Sequence, residues 1–249
     1  MISIKNDEQI KGIRKSCQLL ASLYEVIPSR VKPGVTTKEL DSFAYDFISK
    51  HKGIPAFLGY QGFPGTLCTS VNDEVIHGIP GNRRLKEGDI ISIDCGINLD
   101  GYISDSAITL AVGQISDQHK KLLEITEKSL YLGIEQALNK NRVKDISRAV
   151  EAIARENNLG IVHQYCGHGV GLEVHEDPQI PNYVGRGPNP RLRPGMVLAI
   201  EPMLNIGTGD VEVLDDDWTV VTLDEKASAH FEHTVLITEN GPEILTKLG

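Results

Sequence analysis

Ile90-Ile91-Ser92-Ile93-Asp94, then Asp100-Gly101, then Tyr102-Ile103-Ser104-Asp105-Ser106-Ala107-Ile108 is the stretch that decides how this chain is built. Both runs alternate β-branched and small polar residues, and the Asp-Gly between them is a strong two-residue hairpin signal. A two-residue loop pairs Leu99 with Tyr102, and therefore Gly96 with Asp105. Side chains alternate along a strand, so Asp94, two residues from Gly96, faces the same side as Asp105. The two become diagonal neighbours, about 7–8 Å apart at the backbone. A carboxylate inside an apolar strand is costly unless it is paired or bound to a metal. Either aspartate alone could cap a turn instead. Their shared face favours two carboxylates gripping opposite sides of a cation pair whose members sit about 3.5–4 Å apart.

Helices precede this hairpin. Asn6 with Gln9 three residues on forms a capping box, and Ile10, Ile13, Cys17, Leu20, Ala21 and Tyr24 follow at helical spacing. Pro28 and Pro33-Gly34 interrupt the pattern. A second helix carries Leu40, Phe43, Ala44, Phe47 and Ile48 and ends near Gly53. A helical stretch returns from about Gln118 with Leu122, Leu123, Thr126 and Leu130, and is followed by one with Ile146, Ala149, Val150, Ile153 and Ala154. The second helix of each pair shares the spacing i, i+3, i+4, i+7, i+8. Two related halves account for this, and so do two generic amphipathic pairs. Further strands are expected at Met196–Ile200, Asp210–Leu214, Trp218–Thr222 and Phe231–Thr238, with Asp215-Asp216-Asp217 as an acidic turn. The expectation is an α+β fold, an antiparallel sheet covered by helix pairs, in a single domain over residues 1–249.

The chain carries 25 Lys and Arg against 34 Asp and Glu, a formal net charge of −9. That balance argues against general nucleic-acid binding, DNA included, which needs a basic surface. No stretch approaches the roughly 20 apolar residues of a membrane span, and the N-terminus lacks the apolar region of a secretory signal. The four cysteines, Cys17, Cys68, Cys95 and Cys166, are scattered, as reduced thiols in a cytoplasmic protein are.

Further candidates for chemistry lie downstream. His168 stands between glycines in Cys-Gly-His-Gly-Val-Gly, and the glycines are expected to let the backbone approach a ligand. His175 follows in Val-His-Glu-Asp-Pro. Each histidine taken singly also fits a structural role. Glu201 ends the apolar run in Ala-Ile-Glu-Pro-Met, and Glu232 lies inside the last long strand. Asp94, Asp105, Glu201, Glu232 and His168 make an oxygen-rich donor set. It suits Mn²⁺, Fe²⁺, Co²⁺ or Zn²⁺ in a reactive site better than a structural zinc, which favours thiolates.

These features together resemble the type I methionine aminopeptidases, metallopeptidases of the pita-bread fold. The motifs are Val71-Asn72-Asp73-Glu74-Val75-Ile76-His77-Gly78-Ile79-Pro80, Asp94 with Asp105, Gly167-His168-Gly169-Val170-Gly171, Ile200-Glu201-Pro202-Met203 and Phe231-Glu232-His233-Thr234. The resemblance covers nearly the whole chain and implies two halves related by a pseudo-twofold.

It also implies roles. Two divalent ions would be bound, Asp94 chelating one, Asp105 and Glu232 bridging both, and His168 and Glu201 completing the other site. A bridging water would be the nucleophile, its pKa lowered toward about 7. Glu201 would assist its deprotonation and carry the proton to the leaving amine. His77 and His175 would bind the scissile amide and stabilise the tetrahedral intermediate. Tyr60, Phe63, Cys68 and Trp218 would line the methionine pocket, though ordinary core packing is their alternative. Phe57 and Val174 depart from the pattern of well-known bacterial members and bear on the pocket's shape. The implied partners are nascent polypeptide N-termini with a small second residue. The ribosome is a further candidate through Arg186, Arg191 and Arg193, and a monomer is expected. Competing readings are an X-Pro aminopeptidase or prolidase, a binding module that has lost its metals, and a type II methionine aminopeptidase, which would show a long insertion in the second half.

Overall fold

The structure, a computed structural model, describes residues 1–248. Four helices form where the apolar periodicity places them: α1 (Asp7–Val26), α2 (Thr37–Lys50), α3 (Asp117–Glu135) and α4 (Val143–Glu156). The expected capping box opens α1: Asn6 Oδ1 accepts from Gln9 N at 3.0 Å, and Gln9 Oε1 accepts from Asn6 N at 2.9 Å. Thr36 and Glu39 do the same for α2. Each box satisfies N–H groups that the first turn leaves without partners.

The hairpin forms in the expected register. Strands Ile90–Leu99 and Tyr102–Ala111 pair Leu99 with Tyr102 and Gly96 with Asp105. The turn residues Asp100 and Gly101 take φ of 55° and 87°, the positive values that a type I′ turn demands.

All strand pairings among the described residues are antiparallel. Each helix pair is followed by a short strand, Ile54–Pro55 or Gly160–Ile161, that joins the sheet of its own half. Each half also has its own apolar core. Leu20, Leu23, Leu40 and Ile48 pack against Ile91, Ile93 and Ile97 in the first. Leu122, Leu130, Ile146 and Ile153 pack against Leu198, Ile200 and Leu204 in the second. Each fully buried Leu or Ile contributes roughly 1.5–3 kcal/mol, so either cluster alone can hold its helices to its strands.

The halves meet along Tyr102–Ala111 and the segment 230–234. Ala107 bridges Glu232 in antiparallel sense, and Glu232 N donates to Ala107 O at 2.8 Å. Hydroxyls stitch both sides of that point. Thr234 Oγ1 donates to Asp105 O at 2.6 Å, and Thr109 Oγ1 donates to His230 O at 2.7 Å. Asp105, Ala107 and Thr109 therefore stand opposite Thr234, Glu232 and His230 in turn.

Candidate metal centre

That seam assembles the site. Cys68 pairs with Asp94, Asp94 with Ala107, and Ala107 with Glu232. The four form one row across three strands and the segment 230–234, and residues directly opposite share a face. Asp105 lies two positions along, on the same face. The small Ala107 between Asp94 and Glu232 leaves the space above it to their carboxylates.

His168 comes from a third direction, on the strand Gly167–Gly169, which pairs with Val197–Ile200 and Glu176–Ile180. The glycines beside it do not serve approach to a ligand, as the sequence suggested. A Cβ on Gly167 would come within 2.4 Å of Ala199 O, and one on Gly169 within 2.3 Å of Asp177 O. They admit the flanking strands instead. His168 Nδ1 donates to Gly169 O at 2.9 Å. A carbonyl only accepts, so Nε2 is left as the unprotonated nitrogen. It points at Glu201 Oε1, 3.4 Å away, and at Asp105 Oδ2, 3.9 Å away. Glu201 follows the last residue of Val197–Ile200 and turns its other oxygen toward His230 Nε2, at 3.5 Å.

A pocket of about 150 Å³ opens over these groups. It takes in all five candidate ligands, Asp94, Asp105, His168, Glu201 and Glu232, together with His77, His175, Tyr60, Phe63, Cys68 and Trp218. Phe63 packs edge-on to Trp218 with ring centres 5.1 Å apart, and Trp218 lies edge-on to His77 at 6.1 Å. Asp216 fixes that wall by accepting from Trp218 N and Thr219 N, the role of the acidic turn. Phe57 also lines the pocket, whereas Val174 is buried in the apolar cluster behind it.

His230 is the residue that the sequence reading missed. It is 2% exposed, and neither ring nitrogen has a hydrogen-bond partner. The signal was there: His230 and Glu232 alternate with apolar Phe231, and a period of two puts them on one face. Gln61 and Ile76 complete the lining and carried no such signal.

The electrostatics call for cations. Asp94 Oδ1, Asp105 Oδ1 and Glu232 Oε1 are buried without partners. Burial pushes Asp94 up to about 7. Burial, then the neighbouring carboxylates, pushes Asp105 and Glu232 well above the usual range. Burial works the same way on Glu201, but His230, His168 and His175 together hold it below that range. Three carboxylates this close cannot all ionise without positive charge among them. One atom each of Asp105, His168 and Glu232 lies within 4.8 Å of the others, close enough to share an ion. Burial pushes the thiol of Cys68, opposite Asp94, well above its usual range. Carboxylates with one imidazole fit a hard or borderline divalent cation.

Residues 11–239 match metallopeptidase family M24. The chain belongs to that family. Among M24 relatives, the chain is 52% identical to methionine aminopeptidase 1 of Bacillus subtilis, over the full length of both. It is 51% identical to methionine aminopeptidase of Clostridium perfringens, over 99% of both. The crystal structure of methionine aminopeptidase from Thermotoga maritima superposes with a TM-score of 0.97 at 40% identity, covering 100% of both chains. The one from Rickettsia prowazekii gives 0.96 at 39%, covering 99% of this chain and 100% of that one. The architecture is the pita-bread fold of M24. The prolidase from Pyrococcus horikoshii shares it at a TM-score of 0.80 and 27% identity, but this chain spans only 64% of that protein.

Proposed function

We propose that this M24 chain removes the initiator methionine from nascent proteins whose second residue is small, using two divalent ions. The observation that carries the reading is the row Asp94–Ala107–Glu232 with Asp105 beside it, facing His168 and Glu201 in a pocket with apolar walls. Asp94 would hold one ion, His168 and Glu201 the other, and Asp105 and Glu232 both. Co²⁺, Mn²⁺, Fe²⁺ and Zn²⁺ all suit these donors. Bound there, such ions acidify water and polarise a carbonyl.

The chain's own groups divide the remaining work. Glu201, held below the usual carboxylate range, is ionised at neutral pH and takes the proton of the attacking water, then delivers it to the leaving amine. His77 and His175 line the same pocket and donate to the scissile amide as charge develops on its oxygen. His77 is held at φ 59°, a costly conformation for a non-glycine residue and one that recurs where a side chain must be aimed. Phe57, Phe63, Cys68 and Trp218 supply an apolar wall for a thioether side chain.

The whole chain acts as one catalytic domain, works in the cytoplasm as a monomer, and meets its substrate at the ribosome. Exposed Arg186, Arg191 and Arg193 offer a basic face on an otherwise acidic protein. The test is hydrolysis of Met-Ala-Ser, Met-Ile-Ser and N-acetyl-Met-Ala-Ser by the Mn²⁺-loaded enzyme. Cleavage of the first alone supports the proposal. Equal cleavage of the acetylated peptide contradicts an exopeptidase.

A further inference from the structure

His175 stands at the exposed mouth of the pocket, and its ring has one side-chain hydrogen bond, in which Nδ1 accepts from Tyr60 Oη at 3.0 Å and Nε2 keeps the proton that the substrate amide needs. The ring also packs against those of His168, 4.3 Å away, and Tyr60, 5.5 Å away, and its backbone decides whether it reaches them. Glu176, the next residue, begins the strand Glu176–Ile180 and pairs with Gly169, next to His168. The Glu176 side chain is largely buried and fully engaged. Oε1 accepts from Leu172 N at 2.8 Å and from Glu173 N at 3.3 Å, closing the loop that leads into His175. Oε2 lies 2.5 Å from Nζ of Lys5, whose side chain is 1% exposed. Lys5 is itself fixed, its N–H donating to Gly195 O at 2.8 Å. One residue beyond Glu176, the Met1 ammonium pairs with Asp177 at 2.7 Å.

We propose that Lys5 is a positioning residue for catalysis: its ion pair with Glu176 fixes the 172–176 loop and thereby aims His175 at the substrate. The inference rests on the catalytic role given to His175 above. The N-terminal arm, which does not line the pocket, is then part of the active-site machinery. Removing one partner of a buried ion pair leaves the other charge uncompensated. Without Lys5, Glu176 is drawn toward water, taking with it the Leu172 and Glu173 hydrogen bonds and the backbone next to His175. A displacement on the order of 1 Å in a catalytic group can cost about 100-fold in rate.

A double-mutant cycle on the Mn²⁺-loaded full chain tests this, with kcat and KM for Met-Ala-Ser and bound metal measured for Lys5→Met, His175→Ala and the double variant. Lys5→Met is expected to keep its metal and KM and to lose at least about tenfold in kcat. In the His175→Ala background the same change is expected to cost less than about twofold, because its target is gone. Should Lys5→Met fail to fold, Glu176→Gln takes its place, since it keeps an acceptor for Leu172 and Glu173 while removing the charge. A kcat for Lys5→Met within about twofold of wild type, or an equal loss in both backgrounds, overturns the inference. A His175→Ala enzyme with wild-type kcat removes the role of His175 itself, and the inference falls with it.

Discussion

Asp94 and Glu232 face each other across Ala107, in one row that spans both halves of the molecule. Their separation is fixed by the backbone, about 4.7–4.9 Å per strand step, and the space between them is kept free by a single methyl group. Ala107→Val puts two further carbons into that space. The variant is expected to fold, with an overpacking cost of about 1–3 kcal/mol, and to bind Mn²⁺ about 10–100-fold more weakly. Titration calorimetry on chelator-treated protein reads this directly. Unchanged affinity would show that the row is not the floor of the metal site.

His230 offers a second test. Its Nε2 is placed 3.5 Å from Glu201 Oε2, and its role follows from holding that carboxylate while the other oxygen faces His168. His230→Ala should weaken metal binding by about 10–100-fold, whereas His230→Gln, which keeps a donor, should recover much of it. Equal loss in both variants would mean that His230 contributes bulk or a ring nitrogen, not a polar group facing Glu201.

His77 separates chemistry from metal binding. Its ring packs edge-on to Tyr165 and Trp218. Burial lowers its pKa to about 4, so it is neutral throughout the working range. His77→Ala should keep its metal and lose about 100-fold in kcat, the scale of one transition-state donor. With metal held saturating, the wild-type profile should show no inflection near pH 6.5 that the variant lacks. Such an inflection would mean that a charged His77 takes part.

Much of this was legible before any coordinates. The Asp-Gly turn fixes the register of one hairpin, and register fixes face, so Asp94 and Asp105 could be placed together by counting. Asn6 and Gln9 fix the start of α1 through local hydrogen bonds. What stayed hidden is non-local. Nothing in Tyr102–Ala111 says that residues 230–234 lie beside it, because that pairing is made by Thr109 and Thr234 hydroxyls across more than a hundred residues of chain. His230 went unread for that reason, although its alternation with Phe231 was visible. Gly167 and Gly169 were misread because a glycine signals close approach without saying of what; here it is the neighbouring strands. Val174 lies beside a catalytic candidate in sequence, yet the bend that precedes Glu176–Ile180 turns it into the core.

The central claim is a pair of ions held jointly by Asp105 and Glu232, and Asp105→Asn tests it most directly. Burial raises the pKa of Asp105 well above the usual range, so the metal-free folded state binds more protons than the unfolded chain. Its stability therefore falls as pH rises above the ordinary carboxylate range near 4. A neutral amide escapes that cost, so the metal-free variant should be at least as stable as metal-free wild type at pH 7, and loss of function cannot be blamed on unfolding. Bound metal and kcat for Met-Ala-Ser should be measured together on the Mn²⁺-loaded variant. Loss of most of the metal and of activity is the predicted result; full activity with unchanged metal stoichiometry would contradict the account.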